Sequence, residues 1–184
     1  MNIFHCMVHC HRGFMSRLRN AWYRLLGVEI NGYVWMQSVS IPRNWSDIRI
    51  ERDVALDDGV VLLCSGLSKK NSKIVISNGT YINRYTMIDA HSSIEIGQNC
   101  MIGPQCYITD SDHGKDKSVL IKKQPIETIP VKIEDNVWLG AGVIVLKGVT
   151  IGKGAIIGAG SVITKSVVAG AIITGIPARQ INPS

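Results

Sequence analysis

Aromatic side chains are scarce in this sequence, with two Phe, four Trp and five Tyr among 184 residues, while glycine is abundant at 18. That balance suits a core made as a narrow column of stacked aliphatics within one compact domain. No stretch approaches the ~18 apolar residues of a membrane-crossing helix. The opening MNIFHCMVHCHR breaks up its apolar positions with histidine and leads into no hydrophobic region, so no signal peptide is expected. His5, Cys6, His9, Cys10 and His11 crowd together, but no distant second cluster completes a structural zinc spacing. A loose tail without metal is expected there. The remaining cysteines are Cys64, Cys100 and Cys106. Cys100 and Cys106 fall where small inward residues belong, so they read as free core thiols in a reducing, cytoplasmic compartment. The net charge of +6 has no nucleic-acid-binding motif beside it. It suits a phosphorylated ligand and a solvated surface equally well.

What the sequence does contain is a strict six-residue rhythm. From Val131 to Thr164, Ile133, Leu139, Val145, Ile151, Ile157 and Ile163 recur without a miss. Two places before each stands a small or branched residue: Val131, Val137, Val143, Val149, Ala155 and Ser161. A helix repeats at 3.6 and a strand at 2, so a period of six predicts short extended segments joined by turns. Three segments make a triangular turn of 18 residues, and stacked turns pair in parallel as a β-helix. Gly140, Gly152 and Gly158 follow three of the aliphatics, where a corner is expected to need positive φ.

Upstream the rhythm weakens. Val28, Ile30, Val34 and Met36 fit one register, but Pro42 falls where a third aliphatic belongs. Triplets resume at Ile50, Leu56 and Leu62, at Ile76, Ile82 and Ile88, and at Ile96, Ile102 and Ile108. Between Leu62 and Ile76 the polar Ser65 to Lys73 reads as a short protruding loop. Between Ile108 and Ile133 the gap is 25 rather than 6, so 19 residues leave the coil. A loop that long in a compact domain is usually functional. Ahead of the coil, Arg12 to Leu26 carries Phe14, Leu18, Trp22 and Leu25 on one helical stripe, with Arg12, Arg17, Arg19 and Arg24 elsewhere and Gly27 as a stop. A helix capping the open coil end is expected; contact with a membrane surface is the other reading. The organisation is therefore 1–27 tail and capping helix, 28–169 β-helix with loop 110–130 protruding, and 170–184 C-terminal segment.

TDSDHG at Thr109 to Gly114, NVWLGAG at Asn136 to Gly142, IIGAGSVITK at Ile156 to Lys165 and GIPAR at Gly175 to Arg179 resemble the hexapeptide-repeat acyltransferases, in particular their sugar O-acetyltransferase branch. The resemblance runs over roughly 28–181. It implies a left-handed parallel β-helix, assembly as a homotrimer, and transfer of acetyl from acetyl-CoA to a hydroxyl of a sugar or saccharide. Such a transfer needs a base for the acceptor proton, and an imidazole, ordinarily titrating at about 6.5, suits it. By resemblance His113 is that base, and Asp112 is a candidate for orienting it. Positions matching the cofactor groove and oxyanion amides are Gly140, Ala141, Gly158 and Ala159; Lys165 and Arg179 match basic positions near the cofactor phosphates. Trp138, between inward Val137 and Leu139, should point outward, lining a cleft or packing beneath the long loop. Asn83 and Asp89 partly match acceptor-contacting residues. Both also favour turns.

No cysteine is expected as nucleophile, because Cys100 and Cys106 look inward and Cys64 has no recognisable base beside it. Other acceptors of the same branch, an antibiotic, a nucleotide-linked amino sugar or serine, stay open. A zinc hydratase like the γ-class carbonic anhydrases needs three histidines, and the repeat body has only His91 and His113. A structural or ice-binding solenoid would show a regular Thr-x-Thr ladder, which is missing.

Overall fold

The computed structural model describes residues 3–68 and 71–181, with side chains from Cys10 onward. The six-residue rhythm becomes a parallel β-helix with three walls. Glu29–Ile30, Ile48–Ile50, Ile74–Ile76, Ile94–Ile96, Val131–Ile133 and Thr150–Ile151 stack as the first wall. Trp35–Met36, Ala55–Leu56, Tyr81–Ile82, Met101–Ile102, Trp138–Leu139, Ile156–Ile157 and Ile172–Gly175 form the second; Val61–Cys64, Met87–Ala90, Tyr107–Thr109, Ile144–Val145 and Val162–Ile163 form the third. Register keeps like over like: Ile102 sits between Ile82 and Leu139, and Ile108 between Ile88 and Val145. Every aliphatic of the series from Ile50 to Ile163 is buried. Cys100 and Cys106 are buried in their slots as the spacing predicts.

The two ends depart from the simple spacing. Where Pro42 interrupts the rhythm, Ser40 bridges to Val61 and the buried Val39 and Ile41 fill the interior. At the other end Val167 bridges to Ile151, and the coil runs beyond 169, where Ile172–Gly175 extends the second wall before Ala178–Gln180 folds back antiparallel. The boundary drawn from sequence missed this last partial turn because Val167 and Ile173 do not keep a six-residue step from Ile163 together.

The corner glycines have a different cause from the one expected. Positive φ occurs three residues before many of the inward aliphatics, at Gly142, Gly148, Gly154 and Gly160, and in lower coils at Asp53, Tyr85, Asn99, Gln105 and Asn136. Gly140, Gly152 and Gly158 lack it; they are needed because the next coil passes too close for a side chain. A Cβ on Gly140 would lie 2.6 Å from the Ala159 nitrogen, and one on Gly152 would lie 2.5 Å from that of Ala169.

The helix also departs from expectation. It spans Ile3–Leu26 rather than beginning at Arg12, so its backbone includes the segment expected to be a loose tail; the side chains of His5, Cys6 and His9 lie outside the described residues. It covers the coil end, but with its polar face. Ser16 Oγ donates to the Val34 carbonyl at 3.2 Å and accepts from the Met36 amide at 2.8 Å; Asn20 Nδ2 donates to Val34 O at 2.7 Å, while its Oδ1 accepts the Val34 amide at 3.1 Å. The first strands offer backbone donors and acceptors, and a leucine there would leave them dry and unsatisfied. No described helix is long and apolar enough to cross a membrane.

The 65–73 insertion is less peripheral than its polarity suggests. Lys73 is wholly buried and pairs with the equally buried Asp47 at 3.0 Å. Its ammonium also donates to the carbonyls of Ser65 and Leu67, both at 2.7 Å.

Candidate active site

The long insertion leaves the third wall after Thr109, which pairs in register with Asp89 one coil below. Its root is pinned by Asp110. That carboxylate is fully buried and accepts three backbone amides, from His91 at 2.8 Å, Ser92 at 2.6 Å and Ser93 at 2.7 Å. Such a cluster of charge-assisted bonds fixes the chain direction where it departs from the coil. Ser111–His113 then pairs antiparallel with Ile126–Thr128, so the root of the insertion is a hairpin. Farther out, buried Gln124 braces the tip, its amide donating to the carbonyls of Asp116 and Val119 at 2.8 Å each.

His113 stands on this hairpin and is exposed. Asp112 does not orient it. Successive strand residues point to opposite sides, and the Asp112 carboxylate instead accepts from Lys147 at 2.5 Å, with Lys115 at 3.6 Å. Lys147 reaches Glu127 of the opposite hairpin strand at 2.9 Å as well, so one lysine of the next coil clamps both strands. The Lys147 hydrogen bond holds the Asp112 carboxyl below its ordinary value, and the bonds to Asp112 and then Glu127 raise the Lys147 ammonium above its own. Asp112's contribution is therefore complete above the normal carboxylate range and disappears as pH falls through its depressed value. Lys147's is complete below the ordinary lysine value and disappears as pH rises through its raised one. Lys147→Met should accelerate hydrogen exchange at Ser111–His113 while the wall strands keep their protection; equal exchange in both proteins would show that the clamp does not hold the hairpin.

Asp89 and Tyr107 lie beneath the hairpin root. The Tyr107 hydroxyl donates to Asp89 Oδ2 at 3.2 Å, while Asp89 Oδ1 is buried and has no hydrogen-bond partner among the described residues. Burial pushes the Tyr107 phenol above its ordinary value, and the Asp89 carboxylate adds to that. A buried carboxylate oxygen without a donor is poised to accept a hydroxyl.

Asn83 belongs to a different column. Its amide bonds Ile102 O at 3.0 Å, the amide of Gly103 bonds Leu139 O at 2.8 Å, that of Gly140 bonds Ile157 O at 2.8 Å, and that of Gly158 bonds Ile173 O at 2.8 Å. These four positions stack on the corner between the second and third walls. Here the motif residues divide in a way their spacing does not reveal. The glycine amides are consumed in joining the coils, whereas those of Ala141 and Ala159 meet no acceptor among the described residues, and both alanines are exposed. The glycines keep them uncovered: a Cβ on Gly103 would stand 2.8 Å from the Ala141 nitrogen, as one on Gly140 would crowd Ala159.

Trp138 points outward and is exposed, paired between Met101 and Ile156 on the second wall. The hairpin rises from the third wall, so Trp138 does not pack beneath its root. At the far end, Lys165 and Arg179 line one cavity of about 300 Å³ together with Thr164, Ser166 and Ala178. Ser161 ties the GIPAR segment to the alanine corner, donating to Gly158 O at 2.6 Å and accepting from the Gly175 amide at 3.2 Å. Burial drives the Cys64 thiol up to about 12, which removes it as a thiolate nucleophile. Burial also raises Cys100 and Cys106. Among the described residues no three His, Cys, Asp or Glu converge as metal ligands. The roles of Asp110 and Lys147 were missed; Asp110 lies inside the TDSDHG motif, but only the folded coil brings residues 91–93 to it.

Residues 130–165 match the model for bacterial transferase hexapeptide (six repeats). The chain is 42% identical over 110 residues to a galactoside O-acetyltransferase of Lactococcus lactis, covering 58% of this chain and 52% of that protein. Among solved structures, the hexapeptide-repeat acetyltransferase VCA0836 of Vibrio cholerae, complexed with acetyl-coenzyme A, superposes with a TM-score of 0.58 at 29% identity, over 66% of this chain and 63% of its own. The N-acyltransferase AntD of Bacillus cereus shares the fold more extensively, with a TM-score of 0.73 over 89% of this chain and 88% of its own, at 22% identity. The chain spans about half the length of the curated relatives it matches. The repeat matched by the family model and the acetyltransferases among its relatives and solved structures make this chain similar to the hexapeptide-repeat acetyltransferases.

Proposed function

We propose that the chain transfers acetyl from acetyl-CoA to a hydroxyl of a sugar or saccharide, with His113 as general base. The observation that carries this reading is the exposed His113 on a doubly anchored hairpin that leaves the third wall, the wall that holds the open carboxylate oxygen of Asp89. Asp89 accepts the acceptor's hydroxyl and orients it, and Asn83 adds a contact from the neighbouring corner. His113 removes the proton of the attacking oxygen. The thioester supplies an activated carbonyl and a thiol leaving group. The free amides of Ala141 and Ala159 donate to acetyl-CoA, one to the pantetheine arm and one to the oxygen on which charge develops. Lys165 and Arg179 meet the phosphates in the cavity they share.

The coil is left-handed in this reading, and three copies assemble side by side. Met101, Trp138 and Ile172 form an exposed apolar ladder on the second wall, a surface that such packing would cover and along which the cofactor would run. The protein works in the cytoplasm, in polysaccharide biosynthesis. An amino-sugar nucleotide, an antibiotic or serine are the competing acceptors.

The test is thiol release from acetyl-CoA against sugars, oligosaccharides, nucleotide-linked amino sugars, serine and small drugs. Release that depends on a saccharide hydroxyl supports the proposal. Release only with an amine overturns the acceptor, and failure to bind acetyl-CoA overturns the reaction.

A further inference from the structure

We propose that the outward face of the N-terminal helix docks this protein on an anionic lipid surface. The helix seals the coil with Ser16, Asn20 and Tyr23, the last donating to the Val39 carbonyl at 2.9 Å. Its apolar stripe consequently faces away: Phe14 is 59% exposed, Leu18 48%, Trp22 56% and Leu25 79%. At about 100° per residue these four form a single band opposite the coil-facing line. Arg17 and Arg24 border it on one side, Arg12 and Arg19 on the other. Ile3–Leu26 contains no Asp or Glu.

An apolar band carrying a tryptophan between two rows of arginine is the arrangement of a helix lying in a membrane interface, its rings and leucines among the acyl chains and its guanidinium groups at phosphate level. The arginines also brace the coil. Arg19 donates to Met36 O at 3.4 Å, Arg24 Nε donates to Ile30 O at 3.2 Å, and the Arg17 guanidinium lies 5.3 Å from the Tyr33 ring centre. Each guanidinium has five N–H donors, so these contacts leave others for lipid phosphates. The charge also decides between occupants. Two such helices packed stripe to stripe would bring arginine rows together with no acid on either helix, whereas an anionic bilayer supplies the missing negative charge.

The experiment is co-sedimentation of the full chain with vesicles of phosphatidylcholine alone and of phosphatidylcholine mixed equally with phosphatidylglycerol. Binding to the anionic vesicles is expected, weakened by added salt, and reduced about tenfold or more in the Leu18→Glu/Trp22→Glu variant. Both side chains are exposed, so the variant should melt with the parent. The proposal is overturned by no binding to anionic vesicles, by equal binding to both vesicle types, or by undiminished binding of the variant. Loss of oligomer mass in the variant, measured by light scattering, without vesicle binding by the parent would assign the stripe to a second copy instead. None of these outcomes depends on the acetyl acceptor.

Discussion

His113→Ala should turn over a good saccharide acceptor roughly 10²- to 10⁴-fold more slowly than the parent protein. The loss should fall on kcat, because an exposed imidazole contributes proton transfer at the transition state more than it contributes binding of acetyl-CoA. Stability should scarcely change, since nothing of the core rests on the ring. The affinity for acetyl-CoA, measured calorimetrically, should also remain, as the Ala141 and Ala159 amides and the Lys165–Arg179 cavity lie elsewhere in the coil. Asp112→Asn is the instructive control. Its carboxylate is engaged with Lys147 and Lys115, so the substitution should loosen the hairpin without the full catalytic loss. If His113→Ala turns over the acceptor as fast as the parent, the base is misassigned; if Asp112→Asn matches the alanine variant, the aspartate does more than anchor.

Lys73→Met should cost about 3–5 kcal/mol, because it strips the partner from a carboxylate that remains buried. Asp47 and Lys73 are both completely enclosed at 3.0 Å separation, so no water can replace the lost ammonium. Two further carbonyls, of Ser65 and Leu67, lose their donor at the same time. At roughly 2–4 °C per kcal/mol for a chain of this size, the melting temperature should fall by about 10 °C. Lys73→Met combined with Asp47→Leu should lose less than the single substitution, since the second change removes the stranded charge. A single variant that melts within about two degrees of the parent would mean that the Asp47 site opens to water in solution.

Much of the coil was legible because its information is local and periodic. The inward series from Ile50 to Ile163, the free thiols in their slots and the excision of the long loop all follow from residues that occupy equivalent places in each turn. Which helix face meets the coil was not legible for a definite reason: periodicity identifies an apolar stripe without saying what the opposing surface offers. Here that surface is the open edge of the first strands, which demands the hydroxyl of Ser16 and the amide of Asn20. Lys73 was read as part of a polar excursion because its partner, Asp47, is distant in sequence and only coil stacking brings them together. The same applies to Asp110, whose three donors belong to the preceding coil. The motif NVWLGAG correctly marked a corner, but motif spacing alone cannot tell a glycine amide spent on the next strand from an alanine amide left open.

The steady stacking of the walls makes the coil a ruler. Neighbouring strands stand about 4.8 Å apart, and three steps separate the turn sealed by the helix from the turn that carries the hairpin. The height of His113's turn above the helix is accordingly about 14 Å, set by a count of turns rather than by any flexible joint. Duplicating one complete coil between them, such as residues 74–93, would raise that height by a single step while leaving both ends unchanged. Reach, in this architecture, is a whole number.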